Sequence, residues 1–445
     1  MKQPIDDTSS KGSILMISDH SDPLAKIGGG ETGGQNVYVR ELADKLVEKG
    51  YRVDIFTRLS DELLPREEYS KKGFRVIRIP FGPKGFLSKH EIFLHKDEFV
   101  RAAKDYIQKN NLHYDILHGH YWLSGLVGLQ LKKLFSIPLV QTFHSLGKVK
   151  HDYLQEKTPD GEAREKAETQ IAQNCDTVIA TCPEEKRVLT QEYKINPEKI
   201  TIIPVGVNTE RFQPYGFSVA RAKTKIPIDR NVILFVGRLV PQKDVPTLVR
   251  AFGIMHKKLP SDEREKTFLY ICGGSALHAR NIPEEEKEER TKIKAALRET
   301  GCKKYVHFVG RVPNKKLPYY YSAANFCVVP SGYEPFGIVP LEAMACSTPV
   351  IVSQVGGLQF SVKDGETGLH AQAQNHEDFA QKIQTLLQDK KHQVQYGKNG
   401  RQRILDMFSW DSISDKIITT YRQHRDRIGN FFPKVTKKQS SFCRI

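Results

Sequence analysis

The segment at residues 331–353, SGYEPFGIVPLEAMACSTPVIVS, contains the pattern that decides the fold. Apolar runs at residues 326–330 and 349–352 flank its central part, and both have the length of buried strands. The proline and glycine of PFG interrupt the chain, and the following residues predict a helix over 339–346. A strand, a loop, a helix and a second strand make one unit of a parallel α/β sheet.

Two carboxylates lie in this segment. Glu334 belongs to the predicted loop, and Glu342 follows it by about two helical turns on roughly the same face. Loops at the carboxyl ends of parallel strands are where such sheets bind ligands. The two acids therefore suit two separate parts of one ligand, and the alternative is a capped helix with two solvated acids.

The rest of the chain repeats this alternation of strands and helices, which predicts mostly parallel sheets. A turn-like and basic stretch at residues 208–230 separates two series, and residues 409–428 have the spacing of an amphipathic helix. Glycines end three strands of the second series, as a tight turn below a ligand requires. The predicted strands of the two series are 13–18, 51–57, 74–79, 116–118, 138–142, 177–180 and 200–203, then 232–237, 268–274 and 306–310.

Composition excludes several classes of protein. The 445 residues suffice for two domains. The chain has no apolar run of about 18 residues, so we expect no membrane-spanning helix. The net charge of +16 is spread along the chain without a nucleic-acid-binding motif, so we expect no nucleic acid, while weak contact with an anionic membrane stays open. The seven cysteines are scattered and form no CxxC pair, so we expect no metal site. The N-terminus is polar and has no apolar signal core, so we expect a cytoplasmic protein.

Residues on strand-ending loops supply further candidates. The glycine-rich stretch at 22–36 precedes a helix that starts near residue 33, where backbone amides attract anions, although it equally suits a flexible connector. Arg238 and Lys243 follow a strand and suit a diphosphate, or else are ordinary surface cations. Histidines follow two other strands. His120 suits a buried structural role, and His144 is the better candidate for the ligand-binding site.

The segment EPFG with LEAMACSTPVIVS resembles the nucleotide-sugar signature of the retaining glycosyltransferases of family 4, which have the GT-B fold. GRLxxxK at residues 237–243 resembles the diphosphate clamp of that family. The resemblance implies that Glu334 contacts the donor sugar near the reacting carbon and that Glu342 accepts hydrogen bonds from the ribose. It also implies that Arg238 and Lys243 stabilise the departing diphosphate and that His144 lies beside the reacting sugar.

Motifs in the first half resemble the bacterial sucrose-phosphate synthases and, almost equally, the inositol-phosphate glycosyltransferases of mycothiol synthesis. They are TGGQNVYVRELA, DILHGHYWLSGLVG and TFHSLGKVK, and together with the later motifs the likeness spans about residues 12–425. Both relatives use a phosphorylated polyhydroxy acceptor. Sucrose-phosphate synthases carry two arginines near the position of Arg164, whereas this chain has one after Glu162 and Ala163. That departure weakens the case for fructose 6-phosphate and keeps inositol phosphate, or another phosphorylated polyol, open as the acceptor.

The resemblance therefore implies an α/β protein of the GT-B class, with two Rossmann-like domains whose parallel sheets face each other across a cleft. The expected domains are residues 1–208 for the acceptor and 209–408 for the nucleotide sugar, then a helix at 409–430 that crosses back and a disordered tail at 431–445. The implied catalytic residues are Glu334, His144, Arg238 and Lys243. The implied donor-binding residues are Gly33, Gly34, Arg238, Lys243, Arg311, Glu334, Phe336, Gly337, Ile338 and Glu342. The implied acceptor-binding residues are Gln35, Lys89, Tyr121, Ser145, Lys148 and Arg164.

The expected reaction is retaining transfer of a sugar, glucose as the first choice, from a UDP-sugar to a phosphorylated acceptor, with fructose 6-phosphate as the first choice. No cofactor is required, since the UDP-sugar is a co-substrate, and Mg²⁺ is permitted but not demanded. Two other classes stay open. One is a membrane-associated enzyme with a lipid acceptor, for which residues 81–96 are the weak candidate, and the other is a non-catalytic sugar-nucleotide binding module.

Overall fold

The structure is a computed structural model that describes residues 10–25, 34–149, 161–275 and 282–429. The described residues form two compact units. The first unit takes those within Met1–Phe143, Lys166–Val178 and Ser414–Ile445, and the second takes those within His144–Glu165 and Ile179–Ile413.

The first sheet has eight strands in the order β3-β4-β2-β1-β5-β6-β7-β8. The strands are β1 (Ser13–Ile17), β2 (Arg52–Arg58), β3 (Glu67–Tyr69), β4 (Arg75–Ile79), β5 (Ile116–His120), β6 (Leu139–Thr142), β7 (Thr177–Ala180) and β8 (Ile200–Ile202). The pairs β1–β2, β1–β5, β2–β4 and β5–β6 are parallel, whereas the short edge strand β3 is antiparallel to its neighbour β4. Strand β1 is buried over almost its whole length and is a continuous apolar run after Ser13, whereas β5 is equally buried but carries His118 and His120.

Helices connect these strands, as parallel pairing requires. They are α1 (Gly34–Glu48), α2 (Lys89–Leu94), α3 (Lys96–Lys109), α4 (Tyr121–Phe135), α5 (Gly161–Asn174) and α6 (Pro183–Gln191), with a short turn at Pro197–Lys199. Ser88 caps α2 in a reciprocal capping box with Glu91, which fixes where the predicted acceptor residue Lys89 begins its helix.

The second sheet has six strands in the order β11-β10-β9-β12-β13-β14, and its strand pairs are parallel. The strands are β9 (Asn231–Val236), β10 (Thr267–Cys272), β11 (Val306–Gly310), β12 (Phe326–Val329), β13 (Val350–Ser353) and β14 (Gly368–Ala371). The core beneath them is made of aliphatic and aromatic side chains of β9, β10 and the neighbouring helices. The sheet therefore holds its strand-end loops on a rigid base.

The helices of this series are α7 (Phe217–Thr224), α8 (Val245–Lys258), α9 (Ser261–Arg264), α10 (Glu284–Thr300), α11 (Leu317–Ala323), α12 (Ile338–Ala345), α13 (Leu358–Ser361), α14 (His376–Gln388), α15 (Lys390–Arg403) and α16 (Trp410–Gly429). Shorter helical turns are Pro241–Lys243, Lys303–Tyr305, Asn314–Lys316 and Ile404–Phe408. Helix α12 begins one residue before the predicted start, directly after Gly337, whose φ of +85° ends the preceding loop.

In both sheets the order in which successive strands are added reverses beside the first strand. In the first sheet β1 lies between β2 and β5, and in the second sheet β9 lies between β10 and β12. At such a switch point the two following loops leave in opposite directions and open a crevice at the carboxyl ends of the strands. Each unit therefore has one place where the topology favours a ligand.

The end of α16 packs on the first sheet. Within the first unit, the Tyr421 hydroxyl lies 2.6 Å from Nδ1 of His118 on β5, and Nε2 of His424 lies 2.6 Å from the Thr177 hydroxyl. The domain boundaries near 208 and 408 stay predictions, because β7 and β8 belong to the eight-stranded sheet whereas residues 179–207 group with the second unit.

Candidate active site

The ends of β9, β10 and β11 are joined through glycines. The Gly237 amide donates to the Cys272 carbonyl at 3.0 Å, and the Gly273 amide donates to the Gly310 carbonyl at 2.8 Å. A Cβ on Gly273 would lie 1.7 Å from the Gly237 carbonyl oxygen, and its φ is +143°. Only glycine fits there, which agrees with the predicted tight turns at the ends of these strands.

The loops after β9 and β12 meet at the switch point of the second sheet. The Gly332 amide donates to the Gln242 carbonyl at 3.0 Å, which fastens one loop to the other. The Lys243 ammonium then forms an ion pair with the Glu334 carboxylate, and the Ser331 hydroxyl lies 3.4 Å from the same carboxylate oxygen. Two residues predicted independently from distant motifs are thus in direct contact.

The position of Lys243 follows from local capping. The turn Pro241–Lys243 ends at Asp244, which has φ +45° and whose carboxylate accepts from the Thr247 amide at 3.4 Å to start α8. Lys243 therefore lies just before a helix N-terminus, where the helix dipole favours anions. Arg238 is exposed on the same loop, and Arg311 is exposed just after β11.

Glu342 lies deeper in the protein. It is buried on α12, and the Tyr321 hydroxyl donates to its Oε2 at 2.8 Å. Burial raises the pKa of the Glu342 carboxyl to about 7, although the Tyr321 hydrogen bond and the charge of Arg211 partly oppose that rise. The protonated and the ionised forms of this carboxyl are therefore both populated near neutral pH.

The Glu334 loop rests on a glycine pair that the sequence reasoning missed. The Gly357 amide donates to the carbonyls of Glu334 at 3.2 Å and Pro335 at 3.1 Å. A Cβ on Gly356, whose φ is +45°, would lie 2.2 Å from the Glu334 carbonyl oxygen. The signal for this contact was a GG dipeptide shortly after the strand that follows the loop, at residues 356–357.

The Gly356→Ala substitution is expected to destabilise the protein and to displace Glu334. Gly365→Ala is the matched control, because Gly365 has φ +70° but no atom within 4 Å of its added Cβ. We expect a loss of about 1 kcal/mol for the control and at least about 3 kcal/mol for Gly356→Ala, where steric overlap adds to backbone strain. Denaturant unfolding measures both, and equal losses would contradict the close approach.

In the first unit three predicted acceptor residues lie near one another. The Lys89 ammonium lies 5.2 Å from the centre of the Tyr121 ring, a cation–π distance. The Gln35 amide donates to the Ser18 hydroxyl at 3.2 Å and to the His120 carbonyl at 3.3 Å. Tyr121 has φ +77°, which is strained for a bulky residue and typical of functional sites.

In the second unit the other acceptor residues lie after β6. The buried Arg164 guanidinium donates to the Ser145 carbonyl at 2.8 Å and hydroxyl at 3.1 Å, whereas the Lys148 ammonium donates to the Glu192 carbonyl at 2.9 Å. His144 begins this segment with φ +63°. The arginine and the serine form one local group, and Lys148 packs over the Tyr193 ring at 5.0 Å.

The remaining predicted residues fall as follows. Phe336 and Gly337 are buried and Ile338 is half-buried, and Gly34 is the first residue of α1, while Gly33 lies outside the described residues. His118 and His120 are both buried, and His118 serves a structural network with Tyr421. Within the described ranges no three His, Cys, Asp or Glu side chains form a group that suits a metal ion.

The structure also places Asp19 and His20 beside the acceptor residues of the first unit, which the sequence reasoning missed. The rings of His20 and Tyr121 have centroids 4.9 Å apart.

None of the helices in the described part of the chain is long and apolar enough to span a membrane.

Two Rossmann-like units, each built on a largely parallel sheet, define the GT-B class of fold. Residues 32–211 match the sequence family Glycosyltransferase Family 4, and residues 217–403 match Glycosyl transferases group 1. A D-inositol 3-phosphate glycosyltransferase from Corynebacterium glutamicum is 32% identical over 94% of this chain and 97% of its own length. The chain therefore belongs to the GT-B glycosyltransferases with family 4 and group 1 domains.

Solved structures agree with this assignment. A sucrose-phosphate synthase from Thermosynechococcus elongatus is 38% identical, with a TM-score of 0.81 over 93% of this chain and 99% of its own. Anabaena HepE in complex with UDP-glucose is 18% identical, with a TM-score of 0.70 over 93% and 100% of the two chains, and shows likeness of fold alone. The protein is thus a glycosyltransferase.

Proposed function

We propose that the protein transfers glucose from UDP-glucose, with retention of configuration, to a phosphorylated polyhydroxy acceptor. The observation that carries this proposal is the contact of Lys243 with Glu334 at the switch point of the second sheet. A cation for the diphosphate and a carboxylate for sugar hydroxyls lie there side by side, and Glu342 follows on the next helix.

On the donor side, Lys243 and Arg238 bind the diphosphate and stabilise the negative charge that grows on it as the bond to the sugar breaks. Glu334 accepts hydrogen bonds from the sugar hydroxyls and thereby orients the reacting carbon. Glu342 accepts from the ribose hydroxyls, and the Tyr321 hydroxyl holds its carboxyl in place at 2.8 Å. Gly237 and Gly273 allow the nucleotide close to the backbone.

The way the two acids are engaged favours a same-face route to retention over a double displacement. Glu334 is paired with Lys243 and Glu342 with Tyr321, so neither is placed as the nucleophile of a glycosidase-type double displacement. In the proposed reaction the acceptor hydroxyl attacks from the face that the diphosphate leaves. Its proton passes to an oxygen of the departing diphosphate. The bond between the acceptor oxygen and the reacting sugar carbon forms as the bond between that carbon and the diphosphate oxygen breaks.

Two acceptors have specific support. The likeness to a sucrose-phosphate synthase at 38% identity favours fructose 6-phosphate. The curated relatives that are D-inositol 3-phosphate glycosyltransferases, at 32% to 34% identity, and the single arginine of the 162–164 segment favour inositol phosphate. In either case each unit offers a cation of the kind that a phosphate group needs: Lys89 near Tyr121 in the first unit, and Arg164 beside Ser145 in the second.

The test is UDP release from UDP-glucose with a panel of acceptors: fructose 6-phosphate, inositol 3-phosphate, glycerol phosphate, free fructose, free inositol and a lipid extract. We expect release with one phosphorylated polyol and at most a few per cent of that rate with its unphosphorylated partner, since loss of charged hydrogen bonds costs about 2–3 kcal/mol. Equal rates with free and phosphorylated partners, or release with the lipid extract alone, would contradict the proposal.

A further inference from the structure

Strand β6 carries a buried side-chain amide in the interior of the first unit. Gln141 is fully buried and is in register with Gly119 on the neighbouring strand β5. Its amide donates to the Tyr121 carbonyl at 2.9 Å and to the Thr142 carbonyl at 3.3 Å. The two carbonyl oxygens settle which way the amide points, because its own oxygen can accept a hydrogen bond from neither. The amide therefore joins β6 to the first residue of α4.

Two departures from ordinary local structure meet at this contact. Tyr121 has φ +77°, a left-handed conformation that is strained for a bulky residue. Oε1 of Gln141 is buried and has no hydrogen-bond partner among the residues that the structure describes. A strained backbone and a buried polar atom without a partner each destabilise the folded chain. A buried amide that is tolerated at this cost calls for a role beyond stability.

The packing around Gln141 leaves room for its amide and for little else. A Cβ on Gly119 would lie 2.3 Å from Oε1 of Gln141, and a Cβ on Gly125 of α4 would lie 2.7 Å from it. Side-chain carbons do not approach other atoms that closely, so both positions need glycine as long as the amide keeps this place. The position of the amide is therefore set by β5, β6 and α4 together.

The backbone of Tyr121 decides where its ring points. Tyr121 follows β5 directly, at the switch point of the first sheet, and the Lys89 ammonium lies 5.2 Å from the centre of its ring. Because φ sets the direction of the Cα–Cβ bond relative to the rest of the chain, a return of Tyr121 to negative φ would turn the ring away from Lys89. The hydrogen bond from Gln141 holds the carbonyl of this same residue.

We infer that Gln141 is a positioning residue for the proposed reaction: its amide holds the Tyr121 carbonyl and so keeps the Tyr121 ring beside Lys89, where the phosphorylated acceptor binds. This inference rests on the proposed function, because it explains how the acceptor-binding surface of the first unit keeps its shape. Gln141 is fully buried, so its effect on the acceptor passes through Tyr121.

The decisive variant is Gln141→Met, which keeps the length of the side chain and removes both the donor and the unpartnered oxygen. KM is measured for fructose 6-phosphate or inositol 3-phosphate, whichever supports UDP release. We expect it to rise about tenfold, as for one lost hydrogen bond, while the KM for UDP-glucose stays within about twofold. The midpoint of denaturant unfolding should stay near that of wild type, because loss of the unpartnered oxygen offsets loss of the bond.

The matched control is Gln130→Met. Gln130 lies on the exposed side of the same helix, α4, and donates to Asp97 at 3.1 Å, so both KM values should stay those of wild type. Gly119→Ala displaces the amide by a second route, since its added methyl group would overlap Oε1 of Gln141. We expect it to raise the acceptor KM in the same direction as Gln141→Met.

The path through Tyr121 is tested by combining variants. Tyr121→Gly carries no ring and accepts positive φ without strain, so adding Gln141→Met to it should change the acceptor KM by less than about twofold. A purely structural role of Gln141 would instead give losses that multiply in the double variant, and that result would overturn the inference.

Crystal structures of the wild type and of Gln141→Met supply a readout that needs no acceptor. Tyr121 at negative φ in the variant, with its ring moved away from Lys89, would support the inference. Tyr121 that keeps its positive φ, or an acceptor KM within about twofold of wild type, would overturn it. Absence of turnover by the wild type with either phosphorylated acceptor would contradict the proposed function and this inference with it, whereas normal turnover with an unmoved Tyr121 would contradict the inference alone.

Discussion

Replacement of Glu334 by glutamine is expected to lower kcat by about 10²- to 10³-fold while UDP binding stays within about threefold of wild type. The carboxylate neutralises Lys243 in the free protein, and in the proposed reaction it orients the sugar whose bond to the diphosphate breaks. An amide of the same shape keeps the packing on Gly356 and Gly357 but loses that charge. The effect therefore falls on the transition state more than on nucleotide binding.

The measurement is the rate of UDP release at saturating donor and acceptor, together with calorimetric titration of UDP. Glu299→Gln is the matched control, because Glu299 forms an exposed ion pair with Arg250 on a helix of the same unit, and we expect its kcat within twofold of wild type. Turnover of Glu334→Gln near the wild-type rate would show that the site is assigned wrongly. A large loss of UDP affinity would show that Glu334 serves binding instead.

Replacement of Glu342 by glutamine is expected to stabilise the ligand-free protein at high pH and to weaken UDP binding. Burial raises the pKa of the Glu342 carboxyl from 4.5 to about 7, so the folded chain keeps a proton that the unfolded chain has released. Folding becomes less favourable as pH rises through this interval, and above pH 7 the full penalty is about 3 kcal/mol. Glutamine removes the penalty and still accepts from the Tyr321 hydroxyl.

Denaturant unfolding at pH 5 and pH 8 tests this expectation. Glu342→Gln should exceed wild type in stability by up to about 3 kcal/mol at pH 8 and by much less at pH 5, with UDP affinity about tenfold lower. Glu299→Gln serves again as the control, since Glu299 is exposed and its hydrogen bond with Arg250 lowers the pKa of its carboxyl rather than raising it. A stability difference that is the same at both pH values would contradict the buried, proton-holding state of Glu342.

Much of the fold followed from apolar runs and breakers. Buried parallel strands such as β1 and β10 are apolar over almost their whole length, and α1 and α16 have helical spacing of apolar residues. The places of these elements were therefore predicted to within two residues. The edge strand β3, Glu67–Tyr69, was missed because its residues are polar and its pairing with β4 is antiparallel. Strand order was not predictable, because it depends on tertiary packing.

The candidate site was likewise predictable from the sequence only in part. Glu334 and Lys243 were found from separate motifs, and their contact lies beyond any local pattern because 91 residues separate them. The burial of Glu342 depends on Tyr321 and the surrounding core, which no spacing reveals. Asp19 and His20 were not predicted, because a short polar segment after a strand has no pattern that distinguishes it from other loops. Only the pairing of β1 with β5 places these residues beside Tyr121.

The most direct test of the account is nuclear magnetic resonance of the product formed from UDP-glucose and the acceptor that supports UDP release. The account predicts a new glycosidic bond in the α configuration, as in the donor, on a product that still carries its phosphate group. A β-linked product would contradict retention, and free glucose as the only sugar product would contradict transfer to a phosphorylated acceptor.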